Sequence, residues 1–253
     1  MALITDIIRT LDELLRPGDF RDLGPNGLQV PGATEVTRVV TAVSARRELS
    51  ERAAELGAQL VLVHHGLFWD FQPTGLTPLL AERLRPLFKH DINLAAYHLP
   101  LDAHPGLGNN AILARELGCT DQQPFGLYKG TAIGVRGRFE GEGLTAGELQ
   151  DRVQAATGRE PLLLGAGPER IRTIGIVSGS AADTLGEAVA AGLDAFLTGE
   201  PREHITAEAE EHGVHFVAAG HYATETFGVK ALGELLADRF GVEHTFVDLP
   251  NPV

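Results

Sequence analysis

The sequence holds one cysteine, one tryptophan and one methionine among 253 residues. It also has no apolar run approaching the ~20 residues that a membrane-spanning helix needs. The lone Cys119 excludes an intrachain disulfide and a thiolate zinc cage, and it suits a reducing compartment. Basic charge is scarce: 21 Lys and Arg stand against 34 Asp and Glu, a formal charge of −13. Neutralising phosphates needs clustered Lys and Arg, so the balance argues against a nucleic-acid partner. A ring around DNA would need its basic residues gathered in the lumen. The N-terminal MALITDIIRTLDELL has no signal-peptide core, because acids and an arginine interrupt it at helical spacing. A soluble, cytoplasmic protein without a membrane partner is expected.

What is there is organised around Val61-Leu-Val-His-His-Gly-Leu-Phe-Trp69. The apolar run reads as a buried strand, over residues 59–63. His64 and His65 fall where that strand should stop, with Gly66 turning the backbone. Strand side chains alternate faces, so a loop must take over if both imidazoles are to approach one site. In open α/β sheets, ligands bind at the carboxyl ends of strands.

Along the chain, periodicity predicts a helix over 3–16 and a Gly- and Pro-rich loop over 17–34. Asn26 and Gln29 of that loop read most simply as turn chemistry. A strand over 37–44, a helix over 45–57 and a helix over 77–90 that Pro86 breaks or kinks are expected. A strand over 92–97 runs into His98-Leu-Pro-Leu-Asp102-Ala-His104, a loop because of Pro100. A helix over 110–117 and a strand over 127–140 follow. A capping box at Thr145–Glu148 then opens a helix reaching about Gly158. Strands are expected at 161–164, 171–177, 195–198, 216–219 and about 244–248. Helices are expected at 181–191, 202–212 and 226–240.

The pattern occurs twice. Residues 37–66 align without a gap on residues 135 further on, so that Gly57 falls on Gly192 and His64-His65 on Gly199-Glu200. Residues 94–118 align on those 123 further on, which puts His98 on His221, Asp102 on Glu225 and Gly118 on Gly241. The expected fold class is α/β, with two duplicated halves, 1–126 and 166–253, joined by a connecting segment over 127–165.

His64, His65, His98, Asp102, His221 and Glu225 all fall at predicted strand ends. Imidazoles with carboxylates suit divalent first-row metals, with Zn, Fe, Mn, Co and Ni all compatible. Six such groups exceed the need of one tetrahedral ion and suit two ions roughly 3.5–4 Å apart sharing a carboxylate, an arrangement whose natural chemistry is hydrolysis. His98 reads equally as a ligand or as a residue that holds one. His104 and His204 read as neighbours of the site or substrate contacts, and His90, His212, His215 and His244 as surface or packing residues.

The segments GPNGLQV, VLVHHGLFW, AAYHLPLDAH, a strand ending in TGE with a following His, and GHYATE occur in this order. Together they resemble the Nif-three-like family, whose members are usually called GTP cyclohydrolase 1 type 2 homologs. The resemblance covers essentially the whole chain and suggests a short member without the inserted domain. It implies two intertwined halves with a dinuclear metal site between them, and a toroidal homohexamer. It also implies one ion on His65, Asp102 and Glu225 and the other on His64, His221 and Glu225, with Glu225 bridging; Ser178 and Glu200 lie near the site. By that pattern His98 is not a ligand, and His98 or His204 shuttles a proton. The implied activity is a metal-dependent hydrolase opening the imidazole ring of GTP or acting on another nucleotide or phosphoester. The sequence itself has no Gly-x-x-x-x-Gly-Lys-Ser/Thr loop for a phosphate, and only Ser178-Gly-Ser180 at a strand-to-helix turn offers a cradle. The alternative is a non-enzymatic metal-binding protein for metal storage, delivery or regulation.

Overall fold

The computed structural model describes residues 1–253. The chain is a mixed α/β fold of two compact units: Met1–Leu101 with Gly228–Leu249, and Asp102–Phe227 with Pro250–Val253.

The first unit carries a five-stranded sheet in the order Glu243–Phe246, Arg38–Ser44, Leu60–His65, Asn93–Ala96 and Gly27–Val30. The first four strands are parallel and the last is antiparallel. Parallel strands are covered on both faces, which explains why VVTAV and LVLV are continuously apolar rather than alternating. Leu60, Val61, Leu62 and Val63 are all at most 1% exposed. Each such side chain contributes about 1.5–3 kcal/mol on burial, enough to hold the polar histidines that follow in place. Leu49 and Ala53 of helix Arg47–Glu55 and Leu84 and Leu87 of helix Pro78–Lys89 join this core.

The second unit carries a six-stranded sheet in the order Thr120–Tyr128, Thr131–Arg138, Thr173–Ile176, Ala195–Thr198, His215–Ala218 and Leu162–Leu164. Its three consecutive strands from Thr173 to Ala218 are parallel and its flanking strands antiparallel. One apolar cluster gathers Leu113, Leu117, Leu149, Val153 and Ile174, and a second gathers Phe125, Leu185, Phe196, Ile205 and Phe216.

Strands Arg38–Ser44, Leu60–His65 and Asn93–Ala96 with antiparallel Gly27–Val30 thus match Thr173–Ile176, Ala195–Thr198 and His215–Ala218 with antiparallel Leu162–Leu164. Strands starting at Leu60 and Ala195 lie 135 residues apart, the offset at which the sequence aligns with itself.

Several expectations differ from the structure. The boundaries at 126/127 and 165/166 do not match those of the compact units, because strand Glu243–Phe246 pairs in parallel with Arg38–Ser44 in the first sheet. The strand does not stop before the histidines: it runs through His65, which is in register with Ser44. Pro86 does not break its helix, since buried Leu84 and Leu87 on either side hold it. The segment after His98 is a helix, Leu99–Ala103, with Pro100 in its first turn where the missing N–H costs nothing. The strand expected over 127–140 is one arm of a hairpin whose other arm is Thr120–Tyr128. Its turn places Lys129 at φ 48° and Gly130 at φ 91°, the left-handed pair that matches strand twist. No helix is long and apolar enough to cross a membrane.

Candidate metal centre

In the first unit, His64, His65 and His98 come together. A ligand-capable atom of each lies within 4.8 Å of the others. Ring centroids are 4.7 Å apart for His64 and His65, 4.9 Å for His64 and His98, and 5.5 Å for His65 and His98. Each ring is oriented from its Nδ1 side. His64, which is fully buried, has Nδ1 3.0 Å from the Tyr97 carbonyl. A carbonyl only accepts, so neutral His64 carries its proton on Nδ1 and presents Nε2 as the lone-pair nitrogen. His65 Nδ1 lies 3.0 Å from Ser44 Oγ on the neighbouring strand. His98 Nδ1 lies 2.6 Å from Asp22 Oδ1.

Asp22 is the residue that sequence reasoning missed. Its other oxygen accepts from Asn26 Nδ2 and the Leu99 N–H, and the Leu23 N–H donates to Oδ1. Burial works to raise its pKa, but the hydrogen bond and charge of His98, with Asn26 and Leu23, outweigh it and lower the carboxyl to about 2. Asn26 is more than turn chemistry, because its Oδ1 accepts the His98 N–H at 2.7 Å. Gln29 accepts the Leu67 N–H and donates to the Pro25 carbonyl. Gly66 owes its place to Gln29: a Cβ there would stand 2.3 Å from Gln29 Oε1. The signal was available in GPNGLQV, read there only as a turn; Asp22, just upstream, had no signal of its own.

In the second unit, Asp102, His221 and Glu225 arise from short helical turns. Asp102 lies in helix Leu99–Ala103 and is 5% exposed. Its Oδ1 accepts from Asn109 Nδ2 at 2.8 Å and from Ser178 Oγ at 3.0 Å. Ser178 is thus engaged with a carboxylate, and its N–H donates to Asn110 Oδ1, so the expected phosphate cradle is already occupied by protein groups. His221 opens helix His221–Thr224, and Glu225 follows it at the four-residue spacing that puts both on one helical face. His221 Nε2 lies 3.2 Å from Glu225 Oε2, while Nδ1 bonds Glu200. Burial disfavours the charged imidazole, yet Glu225 and Glu200 together raise it to about 9. Gly179 lies against this pair at φ 68°, and a Cβ there would stand 2.4 Å from Glu225 Oε1. The repeat's equivalence of Asp102 and Glu225 holds at the level of placement, since each is a buried carboxylate just after a strand.

Other expected residues fall elsewhere. His204 is half-exposed, 3.8 Å from Asp183 and 4.0 Å from Glu208. His104 Nδ1 accepts the Gly106 and Leu107 N–H groups and closes its own loop. His215 bonds the Pro168 carbonyl and His244 the Thr41 hydroxyl, both packing roles. Cys119 is buried, which raises its thiol to about 12 and removes it as a nucleophile.

The donor set fits divalent cations: imidazoles each held through Nδ1, and buried carboxylates held by hydrogen bonds, are how metal ligands are prepared. The sequence model of the family described as Duf34/NIF3 (NGG1p interacting factor 3) matches residues 2–252. A Deinococcus radiodurans protein named GTP cyclohydrolase 1 type 2 homolog is 44% identical over 97% of this chain and 93% of its own. A Pseudomonas aeruginosa protein of the same name is 43% identical over 98% of each. Among solved structures, protein ybgI, described as of unknown function, superposes with a TM-score of 0.92 at 39% identity, and TTHA1606 from Thermus thermophilus with 0.91 at 40%. Both comparisons cover 100% of each chain.

Proposed function

The chain belongs to the Duf34/NIF3 family, and we propose that it is a dinuclear-metal-dependent hydrolase. The observation that carries this reading is the preparation of the histidines: three imidazoles converge within 4.8 Å, two of them with Nδ1 committed to a carbonyl or a carboxylate. Surface histidines are not oriented this way. In the proposed site, His65, Asp102 and Glu225 would hold one divalent ion, and His64, His221 and Glu225 the other, from the set Zn, Fe, Mn, Co and Ni. Two such ions would supply Lewis acidity and a water of lowered pKa, which is hydrolytic chemistry.

The chain's own residues do the rest. Asp22 fixes His98 in the tautomer whose Nε2 accepts a proton, and it stabilises the imidazolium that results, as an orienting carboxylate does for a histidine base. His98 is therefore the stronger candidate for proton transfer than His204, which faces two carboxylates at the surface. Ser178 and Asn109 keep Asp102 in one orientation. Glu200 does the same for His221. The substrate in this reading is a nucleotide or phosphoester, and the relatives' name, GTP cyclohydrolase 1 type 2 homolog, makes GTP the first nucleotide to test. The working form is a cytoplasmic homohexamer, which sedimentation of the purified protein checks.

Elemental analysis of the purified protein, of His65→Ala and of Glu225→Ala, with a hydrolysis screen of nucleotides and phosphoesters, tests the proposal. Nearly two ions per chain, lost in both variants together with turnover, is the expected result. Unchanged metal content in the variants overturns it. Two ions that pass readily to a chelator, with no turnover of any substrate, transfer the reading to metal storage or delivery.

A further inference from the structure

Trp69 is the chain's only tryptophan, and its setting is not that of a core residue. Its Nε1 donates to the Gly66 carbonyl at 3.2 Å, which ties the ring to the end of the histidine strand. The ring lies edge-on to His98 at 5.2 Å and tilted against His65 at 5.9 Å. Phe71 stacks on it almost parallel, at 5.7 Å and 18°. Phe71 is 71% exposed, so its place in the stack is not explained by core burial. Trp69 lines one wall of a narrow cleft of only about 10 Å³, with Asn26, Gln29 and His98 on the others, so the room for a larger group is on the exposed side of the rings. Asn26 and Gln29 spend their amides on protein groups, so the walls are preset. The segment 66–77, GLFWDFQPTGLT, contains Asp70 and no Lys or Arg.

We infer that Trp69 and Phe71 form a stacking platform for a planar heteroaromatic ring, so that the substrate is of the nucleoside or nucleotide class rather than an acyclic phosphoester. The inference rests on the hydrolase reading above and narrows it. Aromatic faces bind planar rings through area and quadrupole, and stacking tolerates many ring identities. A segment with an acid and no base gives no grip on a phosphate, so the recognition it offers is of the ring. Trp69 packs directly against both His65 and His98, which joins the platform to the histidine cluster.

Fluorescence of Trp69 in the metal-loaded full-length protein reads the platform directly, since no other tryptophan contributes. Guanosine and adenosine are titrated beside ribose 5-phosphate and glycerol 2-phosphate. The nucleosides are expected to change the emission and the sugar and glycerol phosphates to leave it unchanged. Phe71→Ala should weaken nucleoside binding about tenfold or more, and Phe71→Tyr should retain it. Nucleosides without effect, or an affinity unchanged in Phe71→Ala, overturn the inference. A fall in oligomeric mass in Phe71→Ala with nucleoside affinity unchanged assigns the rings to contact between copies and overturns it too. Metal content and turnover on the same samples separate the two readings. Nucleoside binding through Phe71 in a protein that carries no metal sinks the hydrolase and spares the platform. Turnover without stacking sinks the platform alone.

Discussion

The two units carry chemically different clusters of ligand-type side chains. The first offers imidazoles on a strand end and on the turn after a strand, each oriented by a neighbour: the Tyr97 carbonyl, the Ser44 hydroxyl and the Asp22 carboxylate. The second offers buried carboxylates and one imidazole on short helical turns, with Gly179 leaving room beside Glu225. The sheets beneath share a core of three parallel strands with an antiparallel fourth, yet the residues at equivalent places differ: His64-His65 in one stands where Gly199-Glu200 stands in the other. A repeated scaffold can thus present unlike ligand types, mainly imidazole nitrogen in one copy and mainly carboxylate oxygen in the other, both of which divalent first-row cations accept.

The comparison breaks most sharply at the ligands. Glu225→Ala should abolish hydrolysis and remove most bound metal, because a single oxygen donor is shared in the proposed site; metal analysis beside a thermal melt checks it, and retained metal refutes the sharing. Gly179→Ala is next. At φ 68°, with a Cβ 2.4 Å from Glu225 Oε1, it should cost about 1–3 kcal/mol and lower metal content by displacing Glu225 without replacing any ligand. Chemical unfolding of the metal-free protein separates the strain from the metal loss.

Asp22→Asn sharpens the first unit's side. Loss of an orienting partner to a histidine typically costs about 10- to 100-fold in affinity or activity. The same variant has a pH signature. Asp22 has its folded pKa lowered from 3.8 to about 2, so its stabilisation, on the order of 2 kcal/mol, is present above about pH 4 and lost as pH falls through 2. The variant should therefore lose less stability than the parent between pH 4 and 2, and an equal acid slope in both would show that Asp22 is not held by His98. The smallest effect lies away from both clusters. Thr145→Ala removes a capping box in which Thr145 Oγ1 accepts the Glu148 N–H, for about 1 kcal/mol and no change in metal content.

Much of this was readable in the order of residues. The buried strands were legible because parallel strands covered on both faces leave continuous apolar runs such as LVLV. The capping box was legible because it is local. The hairpin arm Thr120–Tyr128 was not, since TDQQP is polar and its strand character comes from pairing with Thr131–Arg138. Asp22 was invisible for a similar reason: its partner His98 is 76 residues away.

The sequence alone determined the ligand-type side chains, the strands that precede them, the self-similar order of elements and the family. These depend on residue type, short-range spacing and whole-chain similarity, which folding does not alter. Tertiary structure alone decided that strand Glu243–Phe246 closes the first sheet rather than the second, that Asp22 and not a nearer residue orients His98, and that Trp69 and Phe71 stack beside the histidines. Those outcomes depend on which distant segments meet, and only the burial of both sheets' apolar faces selects that.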